Sequence, residues 1–140
     1  MTVQLNHTIV LTDDRHATAG FITEVLGLEP ARSFADEFFL VIDLANDVQL
    51  EILQIGFPFQ PQHFAFLVSE EEFDQIFGRI QSRNIEYFAE HGDQRPGEIN
   101  HLEGGRGVYF TVPGGHSFEI LTRPYGADAE ALALTQKGRM

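Results

Sequence analysis

Apolar and polar positions alternate along the opening residues, so the pattern predicts a strand over Val3 to Leu11. Behind it, Ala17, Phe21 and Val25 recur every four residues, with Ile22 and Leu26 beside them. That spacing predicts a helix with its apolar stripe turned to a core. Asp13 or Asp14 is placed to cap it, and Gly27 to end it. Phe38 to Leu44 and Val48 to Ile55 read as strands joined by Ala45-Asn46-Asp47, and Ala31 to Phe34 as a weaker one. Gly56-Phe57-Pro58-Phe59-Gln60-Pro61 is a linker, because its two prolines exclude a helix.

The same plan then runs again. Gln62 to Val68 reads as a strand, and Ser69 with Glu72 forms a capping box. Phe73, Ile76, Phe77 and Ile80 share one helical face. Ile85 to Phe88 is a short strand, and Glu90 to Arg106 is polar, Gly-rich and suited to a lid. Gly107 to Val112 and His116 to Thr122 make a hairpin about Pro113-Gly114-Gly115, and Ala127 to Lys137 reads as a C-terminal helix. The expectation is one α+β domain over 1–140, two βαβββ modules forming a cupped mixed sheet. Module 1 covers about 3–55, the linker 56–61, module 2 about 62–122 and the tail 123–140.

The repeat also places chemistry. Each half opens on a strand-borne histidine, His7 and His63, and closes on a strand-borne glutamate, Glu51 and Glu119. The histidines are offset by 63 − 7 = 56 residues and the glutamates by 119 − 51 = 68, so the second half carries a 12-residue insertion. Each glutamate has apolar neighbours in sequence, Leu50 and Ile52, or Phe118 and Ile120. Alternation therefore points it to the face opposite theirs, either to solvent or into a concave interior where a carboxylate needs a cation. A lone strand glutamate is usually solvated; four matched residues argue for one shared metal site.

Composition narrows the partners. A net charge of −12, with Lys137 and eight arginines as the cations, argues against nucleic acid. It favours solubility and is compatible with a cationic ligand. With no cysteine, a metal must sit on nitrogen and oxygen ligands. No apolar run reaches the roughly 18 residues of a membrane span, and the N-terminus lacks a signal-peptide pattern, so a cytoplasmic protein is expected. His16 reads as solvated on its helix, and His91 and His116 as turn residues at the surface. Arg123 and Tyr125, just past the last strand, are placed to reach a cavity mouth.

From Val3 to about Thr122 the chain resembles the vicinal oxygen chelate superfamily, which includes glyoxalase I, extradiol dioxygenases, fosfomycin-resistance enzymes and bleomycin-resistance proteins. The segment Asp13-Asp14-Arg15 through Gly27-Leu28 is similar to the family's first helix. The resemblance implies metal ligands at His7, His63 and Glu119, with Glu51 as fourth ligand or general base. Ile99-Asn100-His101, Val108-Tyr109, Pro113-Gly114-Gly115 and Glu119 together resemble the extradiol signature, in which His101 and Tyr109 would stand near substrate. Val112 departs from that signature, and the acid–base histidine of such enzymes has no counterpart between Asn46 and Leu53, where Glu51 stands instead.

The implied cofactor is one divalent metal, Fe(II) first, with Mn, Ni, Co or Zn as alternatives. The implied partner is a small substrate with adjacent oxygens, and the implied assembly a homodimer. Leu11 and Ile55 replace the arginine and asparagine with which bacterial glyoxalases hold glutathione, so a glyoxalase-type lyase or isomerase here would work without it. A metal-free protein that sequesters a drug is the third expectation.

Overall fold

The computed structural model describes residues 2–126. Its strands are β1 (His7–Thr12), β2 (Arg32–Phe34), β3 (Phe39–Asp43), β4 (Gln49–Gln54), β5 (His63–Leu67), β6 (Phe88–Glu90), β7 (Gln94–Pro96), β8 (Gly107–Thr111) and β9 (Ser117–Leu121). The helices are α1 (Arg15–Leu26) and α2 (Glu70–Ser82). No described helix is long and apolar enough to cross a membrane. The helix expected over Ala127 to Lys137 lies outside the described residues.

The described chain divides into two compact units. One runs up to Gln62 and includes Val112–His116; the other takes His63–Thr111 and continues from Ser117. Each holds its own mixed sheet, in the order β1-β4-β3-β2 or β5-β9-β8-β6-β7. The expected architecture is therefore realised as two sheets. In both, the first and last strands of the module pair in parallel, β1 with β4 and β5 with β9, while the remaining pairs are antiparallel.

In the first unit the Asp14 carboxylate accepts the Ala17 N–H to start α1, and Gly27 ends it in the left-handed region at φ 72°. Thr18, Ala19, Ile22, Thr23 and Val25 are its buried residues. The sheet buries Val10, Leu40, Ile42, Leu50 and Ile52. In the second unit Ser69 and Glu72 exchange both bonds of the capping box. Phe73, Ile76 and Ile80 of α2 are buried, as are Val108, Phe110, Phe118 and Ile120 of the sheet. Phe64, Phe66 and Phe110 gather around Phe118 at ring distances of 5.5, 5.1 and 6.1 Å.

Three expectations shift. The first strand begins at His7, and Val3 and Leu5 before it are exposed. The strand expected over Ile85 to Phe88 begins at Phe88. The Ile85 N–H still closes on Ile80 O, and Asn84 is left-handed at φ 54°, so the chain leaves the helix late. The polar insertion is a built element, because β7 pairs with β6. Asn100 pins it by donating from Nδ2 to Ala89 O and accepting the Leu102 N–H.

Candidate functional site

The parallel pairing of first and last strands explains how residues 44 (51 − 7) or 56 (119 − 63) positions apart become neighbours. His7 lies beside Gln49, with Glu51 two residues on; His63 lies beside Ser117, with Glu119 two residues on. Residues two apart on a strand share a face. Each His and Glu therefore stand diagonally across one strand pair, and the repeat is obeyed in three dimensions within each unit.

The two diagonals are used differently. In the second unit His63 Nε2 lies 2.9 Å from Glu119 Oε1. In the first, His7 Nδ1 instead meets Asn6 Oδ1 at 2.7 Å, and Glu51 is half-buried between its cross-strand neighbours Ile9 and Val41. Glu119 is only 1% exposed, on a strand whose other buried residues are Phe118 and Ile120. A buried carboxylate is costly without partners. Here both oxygens have one, since Tyr125 donates its hydroxyl to Oε2.

Three rings surround this pair. Tyr109, the cross-strand partner of Glu119 on β8, stacks on His63 at 5.6 Å and 24°. His91, from the turn between β6 and β7, meets His63 edge-on at 5.5 Å and Tyr109 at 6.1 Å. Tyr125 Oη lies 2.8 Å from Tyr109 Oη. Desolvation of the two hydroxyls, reinforced by the nearby Glu119 carboxylate, holds both phenols above their ordinary range, although the rest of Tyr125 is open to solvent. They are therefore protonated donors at neutral pH. His101 stands exposed at the head of a 3-10 turn, outside the contacts that join these residues.

The donor atoms suit a divalent cation. His63 Nδ1 lies 3.2 Å from Ser117 O and 3.3 Å from Ser117 Oγ. Nδ1 can donate to the Ser117 carbonyl or accept from its hydroxyl, and in either tautomer Nε2 is the ring nitrogen turned to Glu119. Nε2 faces a carboxylate oxygen, so a cation, either a proton or a metal, belongs between them. The 2.9 Å separation also matches the edge between neighbouring ligands of one octahedral ion, each about 2.1 Å from it. Among the described residues no group of three or more His, Asp or Glu is gathered as a metal site. His63 and Glu119 form a pair of donors, and His7 and Glu51 belong to the other unit.

His116 departs from its expected place at the surface. It is 1% exposed, accepts the Gln62 N–H at Nδ1 (2.9 Å) and donates from Nε2 to Leu11 O (2.6 Å). Its ring stacks on Phe59 at 5.4 Å, so it acts as a structural clamp of the first unit. His91 is the exposed turn residue expected, and its ring also joins the cluster about His63. Its sequence signal was faint: a histidine directly after a strand that feeds the insertion. His16 is exposed, 3.6 Å from Glu37. A cavity of about 620 Å³ in the first unit, lined by Asp13, Gln54, Phe57 and Phe59 among others, holds none of the proposed donors. Donor chemistry rather than cavity size identifies the site.

No family model matches the chain. It is 52% identical to the solved structure of Oxidase ChaP-H1, covering 89% of this chain and 99% of that one with a TM-score of 0.85. It is 28% identical to metallothiol transferase FosB of Lysinibacillus sphaericus (strain C3-41), over 87% of this chain and 84% of that protein. The fold is also that of FosX, a fosfomycin resistance protein from Listeria monocytogenes. A mutant of it, solved with Mn(II) and a dihydroxypropylphosphonic acid, is 20% identical over 92% of this chain and 99% of its own, with a TM-score of 0.66.

Proposed function

The chain belongs to the vicinal oxygen chelate superfamily, and we propose from this that it is a metal-dependent oxidase of a small substrate carrying two adjacent oxygens. The observation that carries the oxidative reading is the extensive identity to an oxidase. The paired donors His63 and Glu119 support the metal. His7 is proposed as a further ligand, and Glu51 as a ligand or general base, on the family resemblance. Fe(II) is the first choice of metal.

A bound divalent metal would polarise the substrate's adjacent oxygens and open a path for electrons to an oxidant. The protein's own residues do the rest. Ser117, bonded at Nδ1, holds the His63 ring so that Nε2 faces the site. The stacked Tyr109 ring fixes the plane of that imidazole. Glu51, if not a ligand, accepts a proton from a substrate hydroxyl. Tyr109 and His91 flank the donor pair and would contact the substrate. His101 is retained as a donor that would approach once substrate is bound. The reading includes a cytoplasmic homodimer, with light scattering as the check on assembly.

The FosB relative supports a second reading, metal-assisted addition to a small electrophile without oxidation. Metal analysis of untagged protein, with His63→Ala and Glu119→Gln alongside, tests the site. Oxygen uptake by the Fe(II)-loaded protein over a panel of catechols tests the chemistry. Stoichiometric metal lost in both variants, with oxygen consumed, is the expected result. Metal without oxygen uptake, but with turnover of an epoxide or a hemithioacetal, would favour the second reading or a glyoxalase-type one. Protein that neither carries nor takes up metal would leave a drug-binding role.

A further inference from the structure

The two oxygens of Glu119 are not equivalent. Oε1 faces His63 Nε2, whereas Oε2 accepts the Tyr125 hydroxyl. A phenol has one proton to give and lone pairs with which to accept. Tyr125 spends its proton on Oε2, so in the 2.8 Å contact between the phenols Tyr109 is the donor. The chain of bonds then has one direction, from Tyr109 to Tyr125 to Glu119, and each bond polarises the next.

The two tyrosines are held differently. Tyr109 is fixed by β8, directly across from Glu119. Tyr125 lies beyond the end of β9 and is 54% exposed, so ring burial contributes little to its placement. Its hydroxyl is the group that reaches the buried carboxylate. Among the described residues nothing in the first unit copies this arrangement: the cross-strand neighbours of Glu51 are Ile9 and Val41, which carry no hydroxyl. The tyrosine pair is thus particular to Glu119 and not a product of the repeat.

A carboxylate can bind a divalent ion through one oxygen or through both. A substrate that chelates through adjacent oxygens needs two neighbouring positions, and a two-oxygen Glu119 would occupy one of them. The geometry points to Tyr125 as a positioning residue that, backed by Tyr109, holds Glu119 to one-oxygen coordination and so keeps a substrate position open. This rests on the metal-site reading above.

Cobalt(II) is the probe, because its visible absorption weakens as coordination number rises. Wild type, Tyr125→Phe, Tyr109→Phe and Glu119→Gln are titrated with Co(II) alone, with circular dichroism as the check on folding. Tyr125→Phe is expected to bind one Co(II) per chain about tenfold more weakly, with a weaker visible band as the second oxygen joins. Tyr109→Phe should move both readouts the same way by less, because Tyr125 keeps its own proton. Unchanged affinity and spectrum in a folded Tyr125→Phe would overturn the inference while the metal site stands. Complete loss of metal in a folded Tyr125→Phe would overturn it differently, by making Tyr125 a ligand. Failure of wild type to bind Co(II) would remove both this inference and the reading beneath it.

Discussion

Replacing His116 with alanine should destabilise the protein by about 3 kcal/mol, and the figure follows from what the ring does. Gln62 N–H and Leu11 O both depend on it, at 2.9 and 2.6 Å, in partly buried surroundings. An orphaned buried polar group costs about 1–3 kcal/mol, and partial access to water puts each of these near the lower end. Loss of the ring against Phe59 leaves a cavity that adds about 1 kcal/mol more. At a urea m-value of about 2 kcal/mol/M, the unfolding midpoint should fall by about 1.5 M. His116→Phe separates the contributions, because it keeps the ring and loses both hydrogen bonds; about 2 kcal/mol is expected. Urea titration followed by circular dichroism measures all three proteins. If both variants unfold within about 0.5 kcal/mol of wild type, the clamp is not a stabilising element and the reasoning fails.

Gly107→Ala would put a Cβ 2.8 Å from Asn100 Oδ1 and 3.0 Å from Nδ2, and Asn100 already holds Ala89 O and Leu102 N–H. A loss of about 2 kcal/mol is expected, with faster amide exchange in the β6–β7 hairpin. Ser69→Ala removes the side-chain half of the capping box and should cost about 1 kcal/mol by thermal melting. The Thr122 hydroxyl and the Arg106 guanidinium hold the Glu70 carboxyl below its ordinary 4.5. The folded state therefore resists protonation, and this contribution is present above pH 4.5 and lost as pH falls through the depressed value. Arg106→Met should accordingly lower the melting temperature at pH 7 but much less at pH 3; an equal effect at both would show that the Glu70 pair contributes nothing.

The elements with strong local rules were legible in the sequence: Asp14 and Gly27 bound α1, Ser69 and Glu72 start α2, and the strands bearing His63 and Glu119 fall where alternation puts them. Pairing of β5 with β9 was implied by the repeat alone, because a histidine and a glutamate 56 residues apart (119 − 63) meet only on adjacent strands. What escaped depended on tertiary partners. His116 sits in a glycine-containing turn that composition marks as surface, and only Leu11 and Gln62, distant in sequence, account for its burial. The hairpin of β6 and β7 is held by Asn100 rather than by apolar alternation, so its polar sequence read as a loop. His91 entered the cluster through that same hairpin.

The same parallel pairing of first and last strands has not produced identical environments, and this bears on how the proposed site divides its labour. Both glutamates occupy the same diagonal relative to their histidines. Yet one has Ile9 and Val41 as cross-strand neighbours, and the other Ala65 and Tyr109. Alanine stands beside Glu119 where the first unit has isoleucine. Tyrosine in place of valine supplies a hydroxyl that reaches it through Tyr125. Orienting interactions of this kind decide how tightly and in what geometry a carboxylate binds a metal. In the second unit Glu119 is thus backed by two phenols and His63 by Ser117. His7 has a comparable partner in Asn6, whereas Glu51 has only apolar cross-strand neighbours, which suits a group that must exchange protons. On this division, Glu51→Gln should depress turnover far more than metal content, whereas Glu119→Gln should abolish both. Equal metal loss in the two variants would instead make Glu51 a ligand and remove it as the base.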